Sequence, residues 1–549
     1  MSVDLFTLEV IKSGLVALGE EMFEALRRSS MSPIIYEALD YGIGITDAEG
    51  RLISQGNGIP GFVGTLDGAV QEVLKKFGAD RIHPGDIFMT NTPYIGGGTH
   101  LSDVAMVMPV FCDGVLMAFA ANKAHWTEVG GAYAGSFSSG ATEVYQEGLQ
   151  FPVIKISERG HIVQSVVDMI EANVRLPDMT LGDMWSGIAA LKMGGKRFQE
   201  LVARYGATVV NEAIAYLLDH GEKMVRDRFR SLPKGVFVAE DVIDHDGQGN
   251  GPFPVKVKIT ITESEFIADF TGSAPMAPGS INCTRCALES SAREVFMGVV
   301  DPGVSATEGC FRPLRVICPE GTVFTATRPA PVSNYFEAMV GAADLMRKAL
   351  VNAVPDKLIA GQFGSICAFT LNGTAPTTGE PFILVQPLVG GWGAGANKAG
   401  ESAQFCVGNG ETSNIPVEIQ ESRYGVRVER YSLSDDPSGR GRFSGGRGAV
   451  IEYRILGEDT CLSMHLGRSD TPPAGVNGGE QGSCNYAEIV SNGKVSERFS
   501  TAVSRPLQKG DLVRVVTGNG GGWGAVESDS SGQAVTPPLD GGCLELQEI

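Results

Sequence analysis

Apolar residues recur with helical spacing through the first thirty positions of the chain. Val10, Ile11, Leu15, Leu18, Met22 and Leu26 fall on one side of a helical projection, which predicts a long amphipathic helix. The pattern then shortens to a period of two. YGIGITDAEGRLIS reads as two strands around a TDAEG turn, and a helix over Leu66–Phe77 follows. Two longer apolar runs, VAMVMPVF and VLMAFAANKA, flank Cys112-Asp113-Gly114, whose Asp-Gly pair marks the tight turn of an antiparallel hairpin. Residues 164–232 return to helical periodicity, and beyond Leu232-Pro233-Lys234-Gly235 the runs VKVKITIT and EFIADFTGS alternate as strands. Further strands are expected at 314–318 and 323–326, then a helix over 337–351. From Glu418 onward short strands and glycine turns dominate. The fold class is α+β, multi-domain, with a helix-containing N-terminal half that carries the hairpin and a β-rich C-terminal half. Three parts are expected: 1–232, an N-terminal α/β part; 233–417, mixed β/α; and 418–549, β-rich and glycine-rich.

Composition narrows the function classes. The chain has 549 residues, 43% hydrophobic and 20% charged, too long for one simple core. Its apolar runs are short and interrupted, so no transmembrane segment is predicted. The first thirty residues carry acids throughout and no basic leader, which suits a mature cytoplasmic protein. A net charge of −20 argues against nucleic acid and against anionic membranes, both of which select basic surfaces. The ten cysteines are scattered, as in a reducing compartment. Cys283 and Cys286 form a CxxC without a second pair, so buried thiols are favoured there over zinc. The 72 glycines collect in GGGTH, GGWGAGA, SGRGRFSGGRG and GNGGGWG, implying tight turns and close backbone contacts.

The hairpin also carries the chemistry. Gly96-Gly97-Gly98-Thr99-His100-Leu101-Ser102-Asp103 leads into its first strand, and His125-Trp126 closes the second. A turn centred on Asp113 sets Asp103 opposite Lys123 and Leu101 opposite His125, and alternation keeps His125 on the face of Asp103. His100 sits just before the strand in a glycine-rich turn. Two imidazoles and one carboxylate thus converge, the facial set that binds Zn, Mn or non-haem Fe with positions left open. A lone histidine more often packs or caps; here two of only seven histidines meet one acid. Asp40, in EALDYG, is a candidate fourth ligand. Glu128, in HWTEVGG, is a candidate general base, or an acceptor that orients an imidazole. The GxGxxG at 56–61 follows an apparent hairpin and has Pro60 where a helix would open, so it reads as a turn and not a dinucleotide site. No GxxxxGK[ST] and no GxSxG occurs. Arg423, Arg427 and Arg430 form either an anion or partner contact or, the favoured reading, a solvated face.

The same residues resemble a known family. NTPYIGGGTHLSDVAMVMPVF, AHWTEVGG and QEGLQFPVIKI resemble the B-type subunit of ATP-dependent hydantoinases, a family that takes in the corresponding half of 5-oxoprolinase, caprolactamase, and the acetone and acetophenone carboxylases. EEMFEALRRSSMSPIIYEALDYG, IADFTGSAPMAPGSIN, CFRPLRVICPEGT, IPVEIQESRYGVRVERYSL, SGRGRFSGGRGA and GNGGGWG follow in the family's order.

The resemblance implies a division of labour. An A-type subunit would bind ATP and Mg and phosphorylate a small cyclic amide, and this chain would complete the reaction at a divalent metal within a hetero-oligomer. In the carboxylase branch the metal is held by a THxxD motif and the following AH motif, which correspond to His100, Asp103 and His125 here. The leading expectation is the metal-bearing subunit of an ATP-dependent cyclic amide hydrolase, with a ketone carboxylase subunit as the alternative. One motif departs: many members carry Ile-Pro-Val-His where this chain has Ile59-Pro60-Gly61-Phe62, an apolar ring in place of an imidazole.

Overall fold

The computed structural model describes residues 3–526 apart from 301, 302, 304, 411 and 492, so the end of the glycine-rich part, 527–549 with Cys543, lies outside the described residues. The chain opens with the helix Leu5–Ser29, started by Asp4, whose carboxylate accepts the Thr7 N–H at 3.0 Å. Its buried stripe is Leu8, Ile11, Leu15, Leu18, Met22, Phe23 and Leu26. Of the six predicted positions only Val10 is half-buried, at the edge of that stripe.

Seven strands follow: β1 (Tyr41–Asp47), β2 (Leu52–Gly58), β3 (Ile87–Thr90), β4 (Asp103–Cys112), β5 (Val115–His125), β6 (Ile154–Glu158) and β7 (His161–Ile162). They form one antiparallel sheet in the order β2-β1-β5-β4-β3-β6-β7, with the hairpin strands near its centre. One face carries Ala105, Val107, Phe119 and Ala121 beneath Leu66, Ala69, Val70 and Val73 of the helix Leu66–Phe77. The other face carries Val104, Met106, Ala118 and Ala120 beneath the helices Leu5–Ser29 and Pro177–Tyr205. Gly187 allows the second of these to approach: a Cβ there would lie 2.0 Å from Met106 Cε. Residues 164–229 are helical, as Gln164–Asn173, Pro177–Tyr205 and Ala207–Phe229.

The hairpin register differs from the predicted one. Asp103 pairs directly with His125, and Lys123 pairs with Ala105. The turn is a two-residue loop, Asp113 and Gly114, with φ of 49° and 81°, and a bulge between Val110 and Phe111 leaves Met117 without a partner. Together these advance the second strand by two residues. A shift by two preserves the face, so Asp103 and His125 still project to the same side.

A second sheet holds β8 (Gly235–Ile243), β9 (Phe253–Ile261), β10 (Phe266–Asp269) and β11 (Leu314–Ile317), covered by the helices Arg285–Val300 and Tyr335–Leu350. The strand expected at 323–326 is instead a turn: Val323 and Phe324 are buried anchors, and the Thr325 N–H closes it onto the Thr322 carbonyl at 3.0 Å. The remaining chain makes a four-stranded sheet and a five-stranded sheet. Their facing residues, among them Phe369, Leu371, Tyr453 and Val513, share one core cluster with the first sheet, and the Phe369 and Tyr453 rings meet edge-on at 5.4 Å. The late glycines let loop backbones stack directly; a Cβ on Gly520 would lie 2.0 Å from the Trp392 carbonyl oxygen. Among the described residues no helix is long and apolar enough to cross a membrane.

Candidate metal centre

The glycine-rich turn before β4 closes with the Asp103 N–H on the His100 carbonyl at 3.2 Å, which brings both side chains to the same end of the sheet. β5 delivers His125 to the same point, and its N–H is held by the Asp40 carbonyl at 3.0 Å. The three side chains are buried, and their donor atoms converge. His100 Nε2 lies 2.8 Å from Asp103 Oδ1, His125 Nδ1 lies 3.2 Å from the same oxygen, and the two nitrogens are 3.2 Å apart. A cation bound at about 2.0–2.1 Å has neighbouring ligands roughly 3 Å apart, so this triangle has the size of one face of a coordination shell. Among the described residues it is the single cluster of three such groups within metal-ligand reach.

The surroundings fix the ligand atoms. The Ser333 carbonyl accepts the His100 Nδ1–H at 2.8 Å, which leaves Nε2 with its lone pair aimed at the cluster. Thr99 Oγ1 donates to Asp103 Oδ2 at 2.7 Å, leaving Oδ1 to the imidazoles. His125 Nε2 is buried without a partner, so the directed interactions of this ring run through Nδ1. Burial disfavours the Asp103 carboxylate, but the charges and hydrogen bonds of His100 and His125 outweigh it and hold the carboxyl well below its usual range. The donor set of one anionic oxygen and two imidazole nitrogens therefore fits a divalent cation.

A cavity of about 40 Å³ lies over the cluster, walled by Ile34, Ile59, Phe62, Phe137, Phe336 and Met339. Asp40 lies on its wall, outside the three-ligand cluster. Burial pushes the Asp40 carboxyl up to about 7, with His125 pulling the other way. Glu128 is not brought to the cluster. Its carboxylate is fully buried and taken by Arg175, through the main-chain N–H at 2.9 Å and Nη1 at 2.6 Å.

Contributors from two segments escaped sequence reasoning. Lys123, on the same face of β5, is buried with its Nζ donating to the Gly97 carbonyl at 2.7 Å and Thr65 Oγ1 at 3.1 Å, and it lies 5.3 Å from the Phe62 ring centre. It anchors the turn that presents His100. Ser333 and Tyr335 come from the far side of the chain, and the Tyr335 ring packs 4.9 Å from that of His100. A lysine between Asn122 and Ala124, in an otherwise apolar run, was the only local signal for the first; nothing local marks the second.

The other sequence candidates lie elsewhere. Gly56–Gly58 end β2 and Pro60–Val63 form a single helical turn behind an antiparallel hairpin. Cys286 Sγ accepts the Gly97 N–H at 3.2 Å, and Cys283 faces the Phe324 carbonyl. Arg427 pairs with Glu429, Arg430 with Asp435, and Arg423 lies over the Tyr36 ring.

The fold is one shared with solved enzymes. It matches the crystal structure of the ATP-dependent caprolactamase from Pseudomonas jessenii with a TM-score of 0.88, at 26% identity, over 96% of this chain and 92% of that one. It matches a nucleotide-free acetone carboxylase with a TM-score of 0.88 at 18% identity, over 94% of this chain and 75% of that one. The chain belongs to the hydantoinase B/oxoprolinase family, whose pattern spans residues 4–526. A protein of Pseudomonas sp. strain NS671, provisionally named as the B component of a D-/L-hydantoinase, is 28% identical over 98% of this chain and 93% of its own length.

Proposed function

We propose that this chain is the metal-bearing subunit of an ATP-dependent cyclic amide hydrolase of the hydantoinase or lactamase type. The observation that carries this reading is the convergence of His100 Nε2, Asp103 Oδ1 and His125 Nδ1 within 3.2 Å of one another, in a chain of this family. The naming of the Pseudomonas relative as the B component of a hydantoinase supports a partner subunit; in this proposal that partner is of the A type and binds ATP and Mg.

An unstrained ring amide resists water because of its resonance. Phosphorylation of its oxygen by the partner makes an imidate-like carbon that water attacks more readily. His100, Asp103 and His125 would hold a divalent cation, Zn, Mn or Fe, which when bound would supply Lewis-acid activation of that water. The Ser333 carbonyl and Thr99 hydroxyl keep the His100 and Asp103 donor atoms turned toward it. Asp40, on the cavity wall, takes up the proton released. The apolar walls limit access of bulk water, which would otherwise attack phosphorus and waste the ATP.

The test is His125→Ala in the reconstituted complex. Substrate-dependent ATP hydrolysis by the partner persists and the ring-opened product disappears; unchanged product formation would discard the reading. A ketone carboxylase would use the same trio, and the shared fold with acetone carboxylase keeps that alternative in view. The higher identity to the caprolactamase favours hydrolysis. Labelled bicarbonate offered with a ketone, then a hydantoin offered alone, separates the two by which one yields product.

A further inference from the structure

One buried carboxylate, three residues beyond Val144 and far from any ligand in sequence, has no part in the chemistry above. Glu147 is 1% exposed, and its Oε1 accepts two consecutive main-chain N–H groups, from Val332 and Ser333, each at 2.7 Å. The next atoms along that segment are the useful ones. The carbonyl of the same Ser333 accepts the His100 Nδ1–H at 2.8 Å. Ser333 is held on its side chain as well: its Oγ takes the Ser138 N–H at 2.8 Å and donates to the Ser136 carbonyl at 3.2 Å. A continuous chain of hydrogen bonds therefore runs from Glu147 through one peptide segment to the outer nitrogen of a cluster imidazole.

We propose that Glu147 is a positioning residue of the metal centre: by gripping the Val332 and Ser333 amides it fixes the Ser333 carbonyl, which sets the tautomer and aim of His100 Nε2. The role rests on the reading of the His100–Asp103–His125 cluster as a cation site. It accounts for an acid within the QEGLQFPVIKI run, to which neither the fold nor the reaction otherwise gives a task. Partners that orient a ligating imidazole through its second nitrogen typically contribute roughly 10–100-fold to metal affinity.

The chemistry of Glu147 predicts which replacement preserves the role. Its Oε2 is buried without a partner. Burial pushes the carboxyl up to about 8, against the pull of the two amides, so near neutrality the proton sits on Oε2 while Oε1 remains the acceptor. A glutamine offers the same acceptor oxygen and a neutral group in place of the protonated one. An alanine offers neither.

The experiment is a chelator-competition titration of Mn²⁺ on the full chain copurified with its partner, for wild type, Glu147→Ala, Glu147→Gln and Asp86→Ala, with melting of the metal-free proteins measured alongside. Asp86 is the control: it is equally buried and accepts two main-chain N–H groups, from His83 at 2.9 Å and Arg159 at 2.8 Å. It precedes β3 at the opposite end of the sheet, about 20 Å from the cluster by strand length. The expected result is a loss of roughly 10–100-fold in Mn²⁺ affinity for Glu147→Ala, and a change of about threefold or less for both Glu147→Gln and Asp86→Ala. Wild-type affinity in Glu147→Ala would overturn the role even if its melting point fell. So would equal losses in Glu147→Gln and Glu147→Ala, or a comparable loss in Asp86→Ala. A wild-type chain that binds no Mn²⁺, Zn²⁺ or Fe²⁺ would instead overturn the cluster as a cation site, and this role with it.

Discussion

Asp103 and His125 face each other directly across β4 and β5, with His125 Nδ1 3.2 Å from Asp103 Oδ1. Opposed positions on an antiparallel pair are the closest two side chains a sheet can offer, and they share a face by construction. The hairpin thus supplies two of the three donor atoms from backbone geometry alone. The third comes from a turn that closes onto the same strand end.

That arrangement leaves Glu128 outside the three-residue cluster. Its carboxylate is occupied by Arg175 on both oxygens. Glu128→Gln is expected to lower the melting temperature, since a buried charge-assisted pair is lost at a cost of about 1–3 kcal/mol. Product formation per folded enzyme should stay within about threefold of wild type. A loss of several hundredfold with the fold intact would make it the base after all.

Phe62 is a wall residue whose ring lies over both the cavity and the Lys123 ammonium. Phe62→Ala should cost about 3–5 kcal/mol of stability, as for other truncated core aromatics. It should also admit bulk water. The expected signature is a lower ratio of ring-opened product to ATP consumed, with the cation retained. A ratio equal to wild type in a folded, metal-bound variant would show that the wall does not control water.

Glu337 offers a pH test away from the donor cluster. Burial pushes its carboxyl up to about 8 from an ordinary 4.5, against a hydrogen bond from Ser365 Oγ at 2.6 Å. The native state therefore keeps a proton that the unfolded chain releases. Its contribution to stability is full below about pH 4.5 and is lost as pH rises toward about 8. Melting temperatures of wild type and Glu337→Gln, taken at several pH values across that window, should diverge, with wild type falling relative to the variant. Parallel curves would contradict the assignment.

Much of this was legible in the chain, for identifiable reasons. The Asp113-Gly114 loop and the flanking apolar runs announce the hairpin, and a face defined by parity survives an error of two in register. The bulge at Met117, which supplies one residue of that shift, leaves no compositional trace. Glu128 is close in sequence to His125, but its buried carboxylate pairs with Arg175, which arrives from a separate loop and could not be foreseen from sequence spacing. Asp40 does reach the cavity wall, though outside the ligand triangle. Ser333 and Glu147 were not legible at all, because their contacts join segments some two hundred residues apart and depend on folding of the whole chain. The run at 323–326 looked like a strand because its apolar residues are core anchors, yet they anchor a turn.

The most direct test of the central claim is elemental analysis of the purified complex, wild type against Asp103→Asn and His125→Ala, with melting curves to confirm that each variant is folded. The account predicts about one equivalent of a single divalent transition metal per chain in the wild type, and loss of most of it in both variants. Folded variants carrying the wild-type quantity of metal would contradict it.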